Sequence, residues 1–271
     1  MRDHSVSGEE FRLIPMENGE LFKTDPQPSA DLLPKYYQSE DYISHTDGAR
    51  NLFEKSYQLI KRVALRKKVA LIDSLVKKPG ELLDLGCGTG DFLLTAKQGG
   101  WKTFGTEPGD AARKLAQSKG LEVSLDSQLF AHGSFDIITM WHVLEHVPDP
   151  DSQMREILRL LRSDGYVLIA VPNFKSHDAK HYGRHWAAYD VPRHLWHFSR
   201  KSIDNLARRH GMEVTKVLPM WFDAFYVSLL SEKHKTGSMN VFSGFWRGLA
   251  SNFSALQTGE CSSQIYILKR K

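Results

Sequence analysis

The chain is poor in cysteine, in long apolar runs and in concentrated charge. Among its 271 residues only Cys87 and Cys261 are cysteines. They lie far apart and share no CxxC spacing, so neither a disulfide framework nor a cysteine zinc site is available, which suits a reducing compartment. No run of about 18 apolar residues occurs, so nothing is expected to span a bilayer. The most apolar late segment, Trp221 to Leu230, is short and interrupted by Asp223, and reads as a core or lid helix. The start, Met1 to Leu13, is too polar for a signal peptide, and a cytoplasmic location is expected. The net charge of +4 is mild and lacks the stripe of a nucleic-acid binder. Lys61, Arg62, Arg66, Lys67 and Lys68 alternate with Val63, Ala64, Leu65 and Val69, and read as the wet face of an amphipathic helix rather than a phosphate site.

What remains is globular in character, 41% hydrophobic and 25% charged, enough for one full α/β domain with appendages. Residues 1–75 form an N-terminal extension. Its first forty or so residues read as irregular, with a turn or extended piece at Asp25-Pro26-Gln27-Pro28. A long amphipathic helix follows from about Asn51 to Val76, until Lys77-Lys78-Pro79-Gly80 stops it. In the domain at 76–271, short apolar runs alternate with helical periodicity. Strands are expected at Glu81–Leu85, Trp101–Thr106, Leu121–Leu125, Phe135–Trp141, Tyr166–Val171, after Gly211 and at Ile265–Leu268. Helices are expected at Asp91–Gln98, at Ala111–Lys119, at Asp151–Arg162 with Ser163-Asp164-Gly165 ending it, and to His210 from the N-cap Ser199. This alternation predicts βαβ units and a mainly parallel sheet. Ligands of such sheets sit beyond the carboxyl ends of the strands, where strand order reverses.

Asp84-Leu85-Gly86-Cys87-Gly88-Thr89-Gly90-Asp91 follows one of these strands and opens a helix. Glycine lets the backbone turn tightly and approach a ligand, and the helix start offers free N–H groups. The dinucleotide fingerprint G-x-G-x-x-G is not met, because the third glycine comes one residue early and Asp91 fills the sixth place. No lysine follows Gly90 as a phosphate loop requires. Asp91 is expected to repel a pyrophosphate, which favours a ligand without phosphate and with a cationic group. Glu107, ending the next strand, is placed to accept both hydroxyls of an adenosine ribose.

Taken in order, the glycine segment, Glu107, Phe135-Asp136-Ile137-Ile138 and Trp141-His142-Val143-Leu144-Glu145-His146-Val147 resemble the class I S-adenosylmethionine-dependent methyltransferases. The resemblance runs from about Leu75 to Val217, within the branch that includes the ubiquinone-biosynthesis O-methyltransferases. It implies an α/β, Rossmann-like, doubly wound, mostly parallel seven-stranded sheet with helices on both faces. It also implies an N-terminal helical extension and a lid insertion after the fifth strand, at about 173–198. It implies that Asp84 and the backbone of Gly86, Cys87, Gly88 and Gly90 hold the methionine end of S-adenosylmethionine and that Glu107 takes the ribose. Leu125 and Asp126 should border the adenine, and Met140, Trp141 and His142 should flank the transferring methyl. Ser5 to Pro28 resembles a degenerate zinc-ribbon start of some relatives, without its cysteines, so zinc is not expected there.

Methyl transfer needs an aligned acceptor and, for many acceptors, a base, most often histidine near neutral pH. His177, His181, His185, His194 and His197 crowd the lid. The run Asp190-Val191-Pro192-Arg193-His194-Leu195-Trp196-His197-Phe198 resembles a pattern at this place in the same branch. It implies acceptor binding by Arg193, His185, Trp186 and His197 and proton removal by His194, unless these residues only pack the lid. His142 and His146, four apart on a helical turn beside Glu145, are further candidates for the base, or else a polar brace. His177, His181 and His185 could share a helix face and bind a metal, but Gly183 weakens that helix and no carboxylate spacing accompanies it, so no metal is expected. The reading is methyl transfer to an oxygen, nitrogen or carbon of a small-molecule acceptor, by a monomer or homodimer, with no nucleic-acid partner. A nicotinamide-dependent oxidoreductase and a non-catalytic cofactor-binding protein are the alternatives.

Overall fold

A computed structural model describes residues 1–29, 31–37 and 52–271. The start of the extension is a hairpin rather than an irregular or helical stretch. Strands β1 (Arg12–Met16) and β2 (Leu21–Asp25) pair antiparallel. Their connection passes through Glu17, Asn18 and Gly19 at φ 49, 55 and 79. Asn-Gly is the dipeptide that accepts such left-handed backbone at least cost, and Pro15 is tolerated because β1 is an edge strand. Helix α1 (Leu52–Asp73) is the expected long helix; its proposed first residue, Asn51, lies outside the described residues. Arg62, Arg66 and Lys67 do face solvent as expected. Lys61 and Lys68 do not, because Lys61 meets Asp91 and Lys68 lies over the Trp141 ring.

The core domain runs through β3 (Glu81–Leu85), α2 (Asp91–Gln98), β4 (Lys102–Thr106), α3 (Asp110–Ser118), β5 (Glu122–Ser124), β6 (Phe135–Trp141), α4 (Pro150–Leu160) and β7 (Leu161–Pro172). It continues with α5 (His177–Tyr182), β8 (Trp196–Phe198), α6 (Arg200–Arg209), β9 (Met212–Pro219), α7 (Asp223–Thr236), α8 (Val241–Thr258) and β10 (Ser263–Arg270). The seven-stranded sheet has the order β5-β4-β3-β6-β7-β10-β9, with β10 antiparallel to both its neighbours. The chain moves outward from β3 through β4 to β5, then returns to β6 on the other side, so order reverses between β3 and β6. Strand β7 begins earlier than expected, and Ser163-Asp164-Gly165, read as a helix stop, lies inside it. Ser199 caps α6 as expected, in a reciprocal capping box with Ser202.

Strands buried on both sides carry apolar residues at successive positions, and each alternate goes to a different layer. Leu83, Ile138 and Met140 pack with Met154 and Ile157 of α4 and Ile203 and Leu206 of α6. Leu82 and Ile137 pack on the opposite face with Ile72 of α1 and Phe92, Leu93 and Ala96 of α2. The core is thus two layers around one sheet, which fixes the carboxyl ends of β3, β4 and β6 rigidly side by side.

The lid is sewn to its surroundings. β8 pairs with β2 in a second, three-stranded sheet. Buried Asp178 accepts hydrogen bonds from Trp186 Nε1 (2.7 Å), Ser251 Oγ (2.6 Å) and Ser262 Oγ (2.7 Å), joining lid, α8 and the approach to β10. No helix among the described residues is long and apolar enough to cross a membrane.

Candidate active site

The loop between β3 and α2 turns through Gly86, Gly88 and Gly90, all at positive φ. Gly88, at φ 54, is the informative one, because a Cβ built there would meet nothing within 4 Å. Packing therefore does not require glycine at that position, and the open side of the loop is where a ligand has room. Cys87 turns its thiol the other way, under Gly105, where burial pushes the thiol well up; only its backbone faces the loop. Glu107 directly follows β4 and reaches across, its carboxylate accepting from Gly88 N (2.9 Å) and Gly109 N (2.8 Å). Leu125 and Asp126 follow β5 at the same rim, tied in by the bond from Glu107 N to Ser124 O (3.0 Å). Leu125 is exposed.

Asp91 does not act as expected. Its carboxylate is held by Lys61 and Lys119, each at 2.6 Å. Burial raises its pKa, but the two ammonium groups outweigh this and hold it below the usual carboxylate range. Its charge is met locally, so it presents little repulsion to a ligand.

The floor of the site is charged and buried. Asp84 accepts from Thr139 Oγ1 at 2.6 Å, and burial pushes its carboxyl up to about 7. Met140 points its side chain into the α4 layer and offers the site only backbone. Trp141 lies on the opposite side, edge to face with Phe92, and its Nε1 is buried without a hydrogen-bond partner among the described residues. Lys68 Nζ stands 4.2 Å from the Trp141 ring centroid. Burial lowers the lysine, while the charges of Asp223 and Asp84 pull the other way.

His142 and His146 do not share a helical turn. His142 sits at φ 58, in the left-handed region that non-glycine residues enter only where the surroundings enforce it. Here Asp223 Oδ2 lies 3.1 Å from His142 Nε2, and Glu145 Oε1 lies 3.3 Å from His142 Nδ1. Burial lowers this imidazole, but the two carboxylates overcome it and raise it to about 9. At neutral pH His142 is therefore an imidazolium and carries no lone pair for proton removal. Both of its ring nitrogens lie beside carboxylates.

The facing wall brings together Glu145, His146 and His194, with one side-chain nitrogen or oxygen of each within 4.8 Å of the others. His146 and His194 meet edge to face, centroids 4.6 Å apart. His146 Nδ1 lies 3.0 Å from the Arg193 carbonyl and 3.0 Å from Tyr37 Oη. His194 Nδ1 lies 2.9 Å from the Ala188 carbonyl. A carbonyl oxygen only accepts, so each ring donates from Nδ1, which leaves Nε2 as the nitrogen free to exchange a proton. Burial and the neighbouring His194 hold His146 down at about 4, a neutral ring. Glu145 is 1% exposed, and neither carboxylate oxygen has an aligned hydrogen-bond partner among the described residues. Burial raises it, but His142 outweighs burial and keeps it ionised. A carboxylate and two imidazoles are also metal-competent, a grouping that the spacing of lid histidines did not anticipate.

The remaining lid residues are engaged elsewhere. Arg193 is buried, with all three guanidinium nitrogens committed to Asp190 and the Tyr36 carbonyl, and with Asp3 at 3.6 Å. Trp186 lies in the lid's own apolar cluster. His197 donates from Nε2 to Thr24 Oγ1 at 2.9 Å, since that hydroxyl already donates to the His194 carbonyl. His185 lies 5.8 Å from the ring of His4, and its Nδ1 is buried without a partner among the described residues. Helix α5 ends at Tyr182, Gly183 follows at φ 53, and His185 falls in a separate turn, so His177, His181 and His185 form no ligand set. Lys68, Tyr37 and Asp223 belong to the site although no motif marks them.

A glycine-turned loop at the reversal point, a ribose-height acid on the next strand and an enclosed polar wall opposite define a class I methyltransferase fold with its cofactor crevice. Comparison with known proteins agrees. The family model described as a methyltransferase domain matches residues 55–217, and the chain belongs to that family. Relatives named ubiquinone biosynthesis O-methyltransferase include one from Actinobacillus pleuropneumoniae, 35% identical over 107 residues, covering 34% of this chain and 46% of the relative. Another, from Nitrosospira multiformis, is 26% identical, covering 58% of this chain and 72% of the relative. The chain spans about half the length of the first such relatives. Among solved structures, magnesium protoporphyrin IX methyltransferase from Synechocystis with bound S-adenosylhomocysteine superposes at a TM-score of 0.60, 14% identical, over 90% of this chain and 100% of that one.

Proposed function

We propose that this protein transfers the methyl group of S-adenosylmethionine to a hydroxyl oxygen of a small acceptor, with His194 as the base. One observation carries the reading: two imidazoles that donate from Nδ1 to carbonyl oxygens and an ionised, buried Glu145 converge beside the crevice. An acceptor O–H finds proton acceptors on that wall.

The residues present suit the cofactor. Trp141 Nε1 is a buried donor without a partner among the described residues, Gly88 leaves open space, and Glu107 and Asp84 offer carboxyl oxygens to hydroxyl and ammonium groups. When bound, S-adenosylmethionine supplies an electrophilic methyl on a sulfonium. Glu107 binds ribose hydroxyls, and Trp141 with the loop backbone orients the methionine end. His194 Nε2 takes the acceptor's proton. The imidazolium that forms is stabilised by Asp190, whose Oδ2 lies 3.9 Å from that nitrogen. Burial raises Asp190, but Arg193 and the histidines outweigh it and hold it at about 2, so the counter-charge is permanent.

Thermal unfolding with S-adenosylhomocysteine, and with NADH as control, tests the cofactor. A specific ligand at about a hundred times its Kd adds roughly 2.7 kcal/mol of stability. A shift with NADH alone would overturn the reading. The relatives' name places quinone precursors first in a subsequent acceptor screen.

A further inference from the structure

Helix α8 carries its apolar stripe on the wrong side for a core helix. Gly244, Gly248, Ser251 and Ala255 are its buried residues; Gly244 and Gly248 face α7, and Ser251 reaches Asp178 of α5. The contact is close: a Cβ at Gly244 would lie 2.9 Å from Leu229 Cα, and one at Gly248 would lie 2.8 Å from Phe225 Cα. Small residues therefore make the packing face. Phe242, Phe245, Trp246, Leu249, Phe253 and Leu256 recur at helical spacing on the opposite face. Most of that stripe is in water, with Phe242 at 76%, Phe253 at 61% and Leu256 at 68% exposure. Trp221, Phe222 and Tyr226 extend the exposed apolar surface to the start of α7. A contiguous aromatic surface of this kind marks an interaction site.

The charge around it selects the partner. From Lys233 to Thr258 there is no aspartate or glutamate, while Lys235 and Arg247 are cationic. The carboxylate just before that stretch, Glu232, is buried and bonded to Tyr182 Oη (2.9 Å) and Ser243 Oγ (2.8 Å). On the other flank Lys67 Nζ stands 5.4 Å from the Phe222 ring centroid. A symmetric dimer through this face would bring Lys235 and Arg247 of both copies together, and residues 233–258 supply no acid to pair with them. A surface of Phe, Trp and Leu edged by Lys and Arg is instead the pattern of helices that lie in the plane of an anionic bilayer.

We propose that the α7–α8 hairpin docks this protein on the surface of an anionic phospholipid membrane, with the α8 stripe entering the interface and Lys235 and Arg247 meeting the headgroups. This goes beyond methyl transfer and does not depend on it.

The experiment is flotation of the full chain with vesicles of phosphatidylcholine alone and of phosphatidylcholine mixed with phosphatidylglycerol, alongside the combined variant Phe242→Ser, Trp246→Ser, Phe253→Ser. These side chains are exposed, so the variant should keep its unfolding temperature and its affinity for S-adenosylhomocysteine, which separates this test from that of the cofactor. The expected result is capture of the wild type by the anionic vesicles and a drop on the order of tenfold or more in the variant. No capture by anionic vesicles would overturn the proposal, as would capture that the variant retains in full. Concentration-dependent dimerisation that the variant abolishes, without lipid capture, would assign the face to a second copy and overturn it too.

Discussion

The loop after β3 presents main chain to the crevice, whereas the facing wall is assembled from side chains as distant in sequence as Tyr37, Glu145, His194 and Asp223. The loop asks for conformational freedom and open space. It is sensitive to one added carbon and indifferent to much side-chain chemistry. The wall asks for buried charges in a fixed balance of protons, and a change of one titrating group alters the state of its neighbours. The same crevice is therefore shaped sterically on one side and electrostatically on the other.

Four substitutions sharpen this contrast. His194→Asn should leave S-adenosylhomocysteine affinity unchanged by calorimetry and lower kcat by about 10²–10⁴-fold, the usual weight of a positioned base. A loss confined to KM would refute that role. Gly88→Ala should do the reverse. Its left-handed backbone costs about 1–2 kcal/mol with alanine, and nothing clashes in the free protein, so the chain still folds, while cofactor affinity falls by about tenfold or more. Unfolding curves with and without S-adenosylhomocysteine separate the two effects.

His142→Gln addresses stability. The imidazole's pKa rises from 6.5 to about 9 on folding, so its ion pairs contribute fully below pH 6.5 and are lost as pH rises through about 9. Solvent reaches the ring, which limits the contribution to about 2 kcal/mol. Urea unfolding across that range should show the wild type losing this increment and His142→Gln showing a flatter profile. The smallest effect is expected for Asp91→Asn. With two lysines already holding that carboxylate, cofactor affinity should move by less than about threefold in isothermal titration, equivalent to about 0.6 kcal/mol. A large gain in affinity would restore the repulsion that the bare sequence suggested.

The same contrast explains what could be read in advance. β3, α2 and β6 fall where expected, to the residue, because glycine punctuation and apolar runs are local signals. The place of Glu107 is legible because it directly follows a strand. The β1–β2 hairpin carried its signal too, in Asn18-Gly19, but Pro15 and the absence of apolar alternation obscured the flanking strands. β8, three residues long, exists because β2 offers it a partner, and nothing within Trp196-His197-Phe198 announces it. Lys61 and Lys68 read as surface charge, since helical periodicity does not reveal that Asp91 and Trp141 wait for them. His142 and His146 were placed on one turn by spacing alone. The left-handed backbone at His142 parts them, sending one to Asp223 and the other to Tyr37. Arg193, Trp186 and His197 show how a motif can mark a place without marking a role: the lid pattern is present, and these three side chains are engaged in holding the lid together.

The position of β10 bears on how the molecule comes to be folded. It is inserted between β7 and β9, so β9 has no place in the sheet until residues 263–270 arrive to bridge it. Everything from β3 to β7 can pair in the order it is made, but the last two positions of the sheet are filled out of order, by a late strand slotting in beside an earlier one. Long-range pairings of this kind form slowly, because the intervening chain must first be closed into a loop. That loop is the aromatic hairpin of α7 and α8. During synthesis its sticky face is therefore on display before its anchors are set, and the vulnerable interval in the life of this protein is the one between the appearance of Phe242 and the seating of Tyr266.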